Sequence, residues 1–418
     1  MKSWPELNPI MNLIKNKYPV DFKKIVIFGA GKIGRSFIGQ LFGCGGYKVV
    51  FIDVDPVIIG LLNQQGRYRV VIKGETEEEI MVPNVQAISA MDKDRVANEV
   101  ARAGIMAVSV GKNALEKVIP VIAAGLIERS VNAPGIPLDI IIAENMLSAA
   151  DFVREQLIIN LPPSYPVDSL VGLIETSIGK MVPIMPIAEL EKDPLVVFAE
   201  PYNTLILDGK GFRLPIPEIN GLAPKGNIKA WVDRKAFIHN LGHATAAYYG
   251  YSMYPHAIYM YEVLDDAEVL HFTRSVMLQA AEILKAAYPG EFTDADLIDH
   301  IDDLIRRFRN KALQDTVFRV GQDLSRKLSS DDRFMGAIHL AMKYNKPYNL
   351  ILLAMSYGLS FRAKDETGNC FPSDINFLNS LANDFESTLT GLLGLDTGPD
   401  QPVIKALAEI YKAPFGNL

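Results

Sequence analysis

Between two short apolar runs near the start of this 418-residue chain lies Gly29-Ala-Gly31-Lys-Ile-Gly34, a glycine spacing that few folds can use. Ile25-Val-Ile-Phe28 leads into it, an apolar-rich helix is predicted from about Ile33 to Leu41, and Lys48-Val-Val-Phe-Ile-Asp53 follows. Strand, turn, helix and strand make a βαβ unit, whose parallel strands need a crossover helix packed on the sheet. The first glycine permits the tight turn, the second lets backbone approach a pyrophosphate, and the third lets helix and strand pack closely. Gly29, Ala30, Gly31, Lys32, Ile33 and Gly34 are therefore predicted to surround phosphates at a helix N-terminus, where unpaired N–H groups and the helix dipole favour anions. Arg35 is a further candidate phosphate contact. Asp53 ends the next strand nineteen residues after Gly34, where a carboxylate accepts both ribose hydroxyls and repels a 2′-phosphate. The cofactor expected from this pattern is NAD.

More strands are predicted at Gly104 to Val110 and Leu138 to Ala143, with a helix from Ala114 to Leu126 between them. Buried strands alternating with helices imply a parallel sheet covered on both faces. Residues at the carboxyl ends of such strands meet the ligand, which brings in Ser109, Val110 and Gly111 beneath a nicotinamide riboside, and Asn145. Val171 to Thr176, Leu195 to Ala199 and Thr204 to Asp208 read as extra strands. A proline- and glycine-rich passage from Gly209 to Gly226 separates the halves, and beyond it apolar residues recur at three- and four-residue intervals, as at Val269, Phe272, Val276, Ala280 and Ile283. The expected architecture is α/β plus all-α: an expanded Rossmann domain over residues 1–215 and a helical domain over 216–418.

The length suits two domains, and 49% hydrophobic residues provide a core for each. Cys44 and Cys370 fall outside any C-x-x-C or Cys/His spacing, so neither a disulfide framework nor a zinc site is expected, and a reducing cytoplasm fits best. The Met1 to Pro19 segment carries charges and prolines in place of a signal peptide's apolar core, and no apolar window is long enough to span a membrane. A net charge of -7 disfavours a general nucleic-acid surface. The expected partner is a small molecule. Oligomeric state is not set by the sequence, which is compatible with a monomer.

The chemistry concentrates in Lys235, Asn240 and His243, a K-x4-N-x2-H pattern that offers a base, an amide and an imidazole. On an α-helix advancing about 100° per residue, Asn240 lies roughly 140° and His243 roughly 80° around from Lys235, so all three can border one cleft. A lysine base must titrate near neutrality, well below its usual value of about 10.4, through burial and nearby positive charge. Asn240 can donate to a developing alkoxide. His239 and His243 have the spacing of a metal pair, but no H-E-x-x-H motif or third ligand accompanies them, so no metal is expected.

These residues resemble the polyol-specific long-chain dehydrogenases, and within that family the branch acting on mannitol phosphate. The resemblance runs from Ile25 onward and rests on four ordered blocks: Phe28 to Gly39, Ala143-Glu-Asn-Met146, Arg234 to Ala244, and Arg319-Val-Gly-Gln-Asp-Leu-Ser-Arg-Lys-Leu-Ser329. It implies an NAD-dependent, metal-independent enzyme with its active site between the domains. Lys235 is then the base, Asn145 and Asn240 the amides at the reacting oxygen, and His243 a substrate-orienting group. Arg319 and Lys327 match basic positions that face the substrate, and Arg326 and Arg333 extend the segment toward a phosphate cradle. The family's V-D-R-I-V-P segment reads Ile178-Gly-Lys-Met-Val-Pro183 here, and Gln322 stands where an arginine is usual. The expected substrate is a polyol phosphate or ketose phosphate; a free polyol dehydrogenase, a tagaturonate or fructuronate reductase and a non-catalytic NAD-binding sensor are the rivals.

Overall fold

The computed structural model describes residues 19–144, 148–183 and 185–412. The chain divides into two compact units, one ending at Ile228 and the other beginning at Lys229.

Eleven strands are found in the first unit among the described residues: β1 Asp21–Phe28, β2 Lys48–Asp53, β3 Arg67–Lys73, β4 Glu77–Pro83, β5 Val85–Ser89, β6 Ala103–Val108, β7 Leu138–Ile142, β8 Val171–Ser177, β9 Val197–Ala199, β10 Leu205–Asp208 and β11 Leu222–Lys225. Eight form one sheet in the order β11-β10-β8-β7-β6-β1-β2-β5, and β4-β3-β9 form a second. Within the large sheet only β10 against β8 is antiparallel. Alternate residues of β1 feed opposite cores: Ile25 and Ile27 pack with Phe37, Ile38 and Leu41 of the glycine-turn helix, Val26 and Phe28 with Val96, Leu115 and Ile119. Burial on both faces explains the unbroken apolar run. Strand order reverses between β1 and β6, so their carboxyl ends open a crevice beside the glycine turn.

Two details depart from the sequence reading. The passage from Gly209 to Gly226 contains β11, paired in parallel with β10 from Leu222 to Lys225. The run ending at Ala199 forms β9, which joins β3 in the smaller sheet.

The second unit is helical, built around Leu241–Met253, whose small residues bring neighbours close. A Cβ on Gly242 would meet Met277 Sδ at 2.5 Å, and one on Gly250 would meet Val263 Cβ at 2.6 Å, so the glycines set the approach of the flanking helices. Helices Ala267–Ala287 and Asp294–Phe308 start on side-chain caps, Asp266 and Thr293, that satisfy free N–H groups of the first turn.

Candidate active site

In the first unit the three glycines meet three different demands. Gly29 has φ +95°, and a Cβ there would lie 2.4 Å from Ser109 O. A Cβ on Gly34 would fall 2.0 Å from Gly29 O, whereas one on Gly31 would meet nothing within 4 Å. The turn is thus closed by its outer glycines and open at its middle one, as backbone approach to a pyrophosphate requires. Gly31 and Lys32 are exposed, Ala30 is buried and Ile33 packs at the core edge. After Lys32 and Ile33 the helix widens into a π turn over Gly34–Gly39.

Asp53 sits at the tip of β2. Its Oδ2 accepts from Ala30 N–H at 2.6 Å, and Oδ1 accepts from Val54 and Asp55 N–H at 2.7 and 3.0 Å. The carboxylate therefore braces the glycine turn while remaining partly exposed. Arg35 is not available to a phosphate: it is buried, with Nε donating to Ala30 O at 2.7 Å and Nη1 to Leu195 O at 2.6 Å. Its position on the inner face of the helix turns the guanidinium into a structural tie.

Val110 and Gly111 are held by a residue that sequence reasoning passed over. Glu144 Oε1 accepts from both N–H groups, at 2.7 and 3.0 Å, and burial raises its carboxyl above the usual range. Glu144 stands beside Asn145 in the quoted block, which was the available signal. Asn145 itself lies outside the described residues. Lys180 is buried and donates to Gln40 Oε1 at 3.3 Å and Asn203 Oδ1 at 2.7 Å.

In the second unit the helix Ile228–Arg234 runs into a π turn over Lys235–Asn240 and then into Leu241–Met253. Leu241 N–H donates to Ala236 O, five residues back. This corrects the α-helical angles inferred from spacing. In an i→i+5 turn, residues five apart stand nearly in line, as residues four apart do on an α-helix, so Lys235 and Asn240 share a face without the lysine stem covering a wide arc. Such insertions recur at functional sites.

Lys235 titrates at about 8, lowered by burial first and then by the positive charges of Arg333 and Arg326 against an opposing pull from Asp332. His243 stacks on Phe308 with ring centroids 4.3 Å apart and planes 5° from parallel. Its Nε2 is 3.4 Å from Asp315 Oδ2. Asp315 Oδ1 accepts from Arg319 Nε at 2.7 Å and Nη2 at 2.6 Å. Burial pushes the Asp315 carboxyl up, but His243 and Arg319 hold it below the usual range.

The remaining basic residues are committed as well. Arg326 binds Asp323 and, through Nη1, Asp332 Oδ2 at 3.2 Å. Arg333 is buried, with Nε donating to Asp332 Oδ1 at 2.8 Å and Nη1 to Asn240 O at 3.2 Å. Lys327, also buried, donates to Val320 O at 2.6 Å, and burial with Arg333 and Arg326 lowers it to about 7. Asp315, Asp323 and Asp332 were missed, although the spacings of Asp315 to Arg319 and of Asp323 to Arg326, four and three residues, are those of helix ion pairs; the contact of Asp315 with His243, far away in the chain, had no such signal.

A glycine turn fitted to a dinucleotide and a helix bearing a lysine depressed toward neutrality define an oxidoreductase. The chain belongs to the mannitol dehydrogenase family: the family's Rossmann domain matches residues 23–221 and its C-terminal domain residues 227–389. Among solved structures it is similar to a D-sorbitol dehydrogenase in substrate-free form, at 18% identity over 97% of both chains with a TM-score of 0.74. It is also similar to the Pseudomonas fluorescens mannitol 2-dehydrogenase, solved as a ternary complex with NAD and D-mannitol, at 17% identity over 94% of this chain and 92% of that one with a TM-score of 0.72. The expanded Rossmann and helical architecture is that of these structures. Among the described residues no helix is long and apolar enough to cross a membrane.

Proposed function

We propose that the chain catalyses the NAD-dependent, reversible oxidation of a sugar-alcohol phosphate, D-mannitol 1-phosphate to D-fructose 6-phosphate, as a mannitol-1-phosphate 5-dehydrogenase does. The observation that carries the reading is Lys235 on its π turn, at about 8 and in line with Asn240. Bound at the glycine turn and Asp53, NAD supplies the hydride acceptor. Neutral Lys235 Nζ takes the hydroxyl proton as the carbinol hydrogen leaves with its electron pair, and protonated Lys235 returns it in reduction. The Asn240 amide donates to the oxygen as its charge changes, a role the resemblance also gives Asn145. His243 and Arg319 orient the substrate. Arg326, Lys327 and Arg333 gather positive charge for a phosphate. The unpaired cysteines Cys44 and Cys370 support a cytoplasmic setting.

One observation favours a second reading, an unphosphorylated polyol: Arg319, Arg326 and Arg333 each already bind a carboxylate. The deciding experiment is a panel of free polyols, polyol phosphates and hexuronates assayed with NAD. A kcat/KM for mannitol 1-phosphate well above that for mannitol supports the first reading, and the reverse order overturns it. Lys235→Ala, assayed alongside, should lose about 10² to 10⁴ in turnover while keeping NAD affinity; unchanged turnover would remove the base.

A further inference from the structure

Asp315 is the point on which two substrate-facing candidates converge. It is only 4% exposed, and its backbone is fixed by Met260 N–H, which donates to Asp315 O at 2.9 Å. The two carboxylate oxygens are divided: Oδ1 takes both contacts from Arg319, and Oδ2 faces His243 Nε2 at 3.4 Å. That nitrogen is buried and lacks the alignment of a full hydrogen bond. Stacking on Phe308 fixes the plane of the imidazole but not which edge faces which way, because a half-turn of the ring keeps the stack and exchanges the two edges. The carboxylate removes this ambiguity. An ionised Asp315 has only lone pairs to offer, so the nitrogen facing it must carry the proton, and Nδ1 is left as the acceptor.

We propose that Asp315 is a positioning residue that holds His243 as its Nε2–H tautomer, with Nδ1 presented as acceptor to a substrate hydroxyl, and keeps Arg319 in register with it. A polyol offers hydroxyl donors along its length, and an acceptor nitrogen suits one of them. The inference rests on the polyol reading above. A carboxylate orients metal-bound imidazoles in the same way, and there its loss typically costs about 10- to 100-fold.

Two measurements on the full-length enzyme test it. In the first, Asp315→Asn, His243→Ala and the double variant are compared on the best substrate from the panel, with thermal melting as the folding control. Asp315→Asn should raise polyol KM at least about tenfold with NAD KM unchanged, and the double variant should lose less than the product of the single losses by about fivefold or more. Losses that simply multiply, or a rise in NAD KM alone, overturn the proposal. The second is the tautomer of His243 in wild-type protein carrying ¹⁵N-histidine, with its signals identified by their absence in His243→Ala. An Nε2–H form is expected, and an Nδ1–H form refutes the role of Asp315 whether or not a variant folds. If the wild type oxidises no member of the panel, the proposed reaction fails while the tautomer still decides the inference.

Discussion

The buried guanidinium of Arg333 donates to the main-chain carbonyl of Asn240, 3.2 Å away, and so grips the end of the π turn that carries Lys235. A residue expected to face a phosphate thus ties down the helix that carries Lys235. Its charge contributes, after burial, to lowering Lys235 to about 8.

Charge and grip can be separated kinetically. On the proposed mechanism oxidation needs neutral Lys235, so its kcat/KM should rise with pH through about 8, and reduction should fall over the same range. Arg333→Met removes the cation and should move that inflection to higher pH. Arg333→Lys keeps a charge but loses the forked contact, so the inflection should stay near wild type while the rate drops. An Arg333→Met profile superimposable on wild type would show that the charge of Arg333 does not depress the lysine.

The glycine turn makes a paired prediction. Gly34→Ala forces a Cβ to within 2.0 Å of Gly29 O and should cost several kcal/mol or abolish folding. Gly31→Ala meets nothing in the protein, so it should fold with a near-normal melting point yet bind NAD at least about tenfold more weakly. Calorimetry of unfolding together with NAD titration checks both. Equal NAD affinity for Gly31→Ala and wild type would mean that the dinucleotide does not run over this turn.

Lys327 supplies a pH signature of stability. Its folded value of about 7 lies below the unfolded one, so between about 7 and 10.4 the unfolded chain binds more protons and stability rises with pH. The cost of burying the charge is greatest below 7. Lys327→Met should therefore raise the melting temperature by about 3 °C or more at pH 6, with a smaller gain at pH 9, while weakening substrate binding. A gain that grew with pH would contradict the sign.

What was legible in the sequence follows from the range of the forces involved. The βαβ unit could be read because turn, helix and strand are neighbours along the chain, each marked by its own pattern, and Asp53 falls at a fixed distance. The Lys235, Asn240 and His243 cluster was visible for the same reason. The π turn was not, since apolar periodicity over six residues cannot distinguish one additional residue in a turn from ordinary scatter. Nor were the ties of Asp315 to His243, of Glu144 to Val110 and Gly111, and of Arg35 to Leu195, because each forms only once segments far apart in the chain meet. The strand β11 was hidden by the glycines and prolines around it, and Pro224 is tolerated there because β11 lies at the sheet's edge.

The wide turn at Lys235–Asn240 also takes up one residue of chain length. Removing one residue from this stretch would let the backbone relax into a plain α-helix, a change that helices accommodate with little loss of hydrogen bonding. Residues five apart on the wide turn stand as residues four apart do on an α-helix, so after such a deletion Lys235 and Asn240 would still share a face. Removing a second residue would have no wide turn left to absorb it and would rotate every side chain on one side of the deletion by about 100° relative to those on the other. A related sequence one residue shorter here could therefore keep the same two groups together, whereas one shorter by two could not do so by relaxing this turn alone.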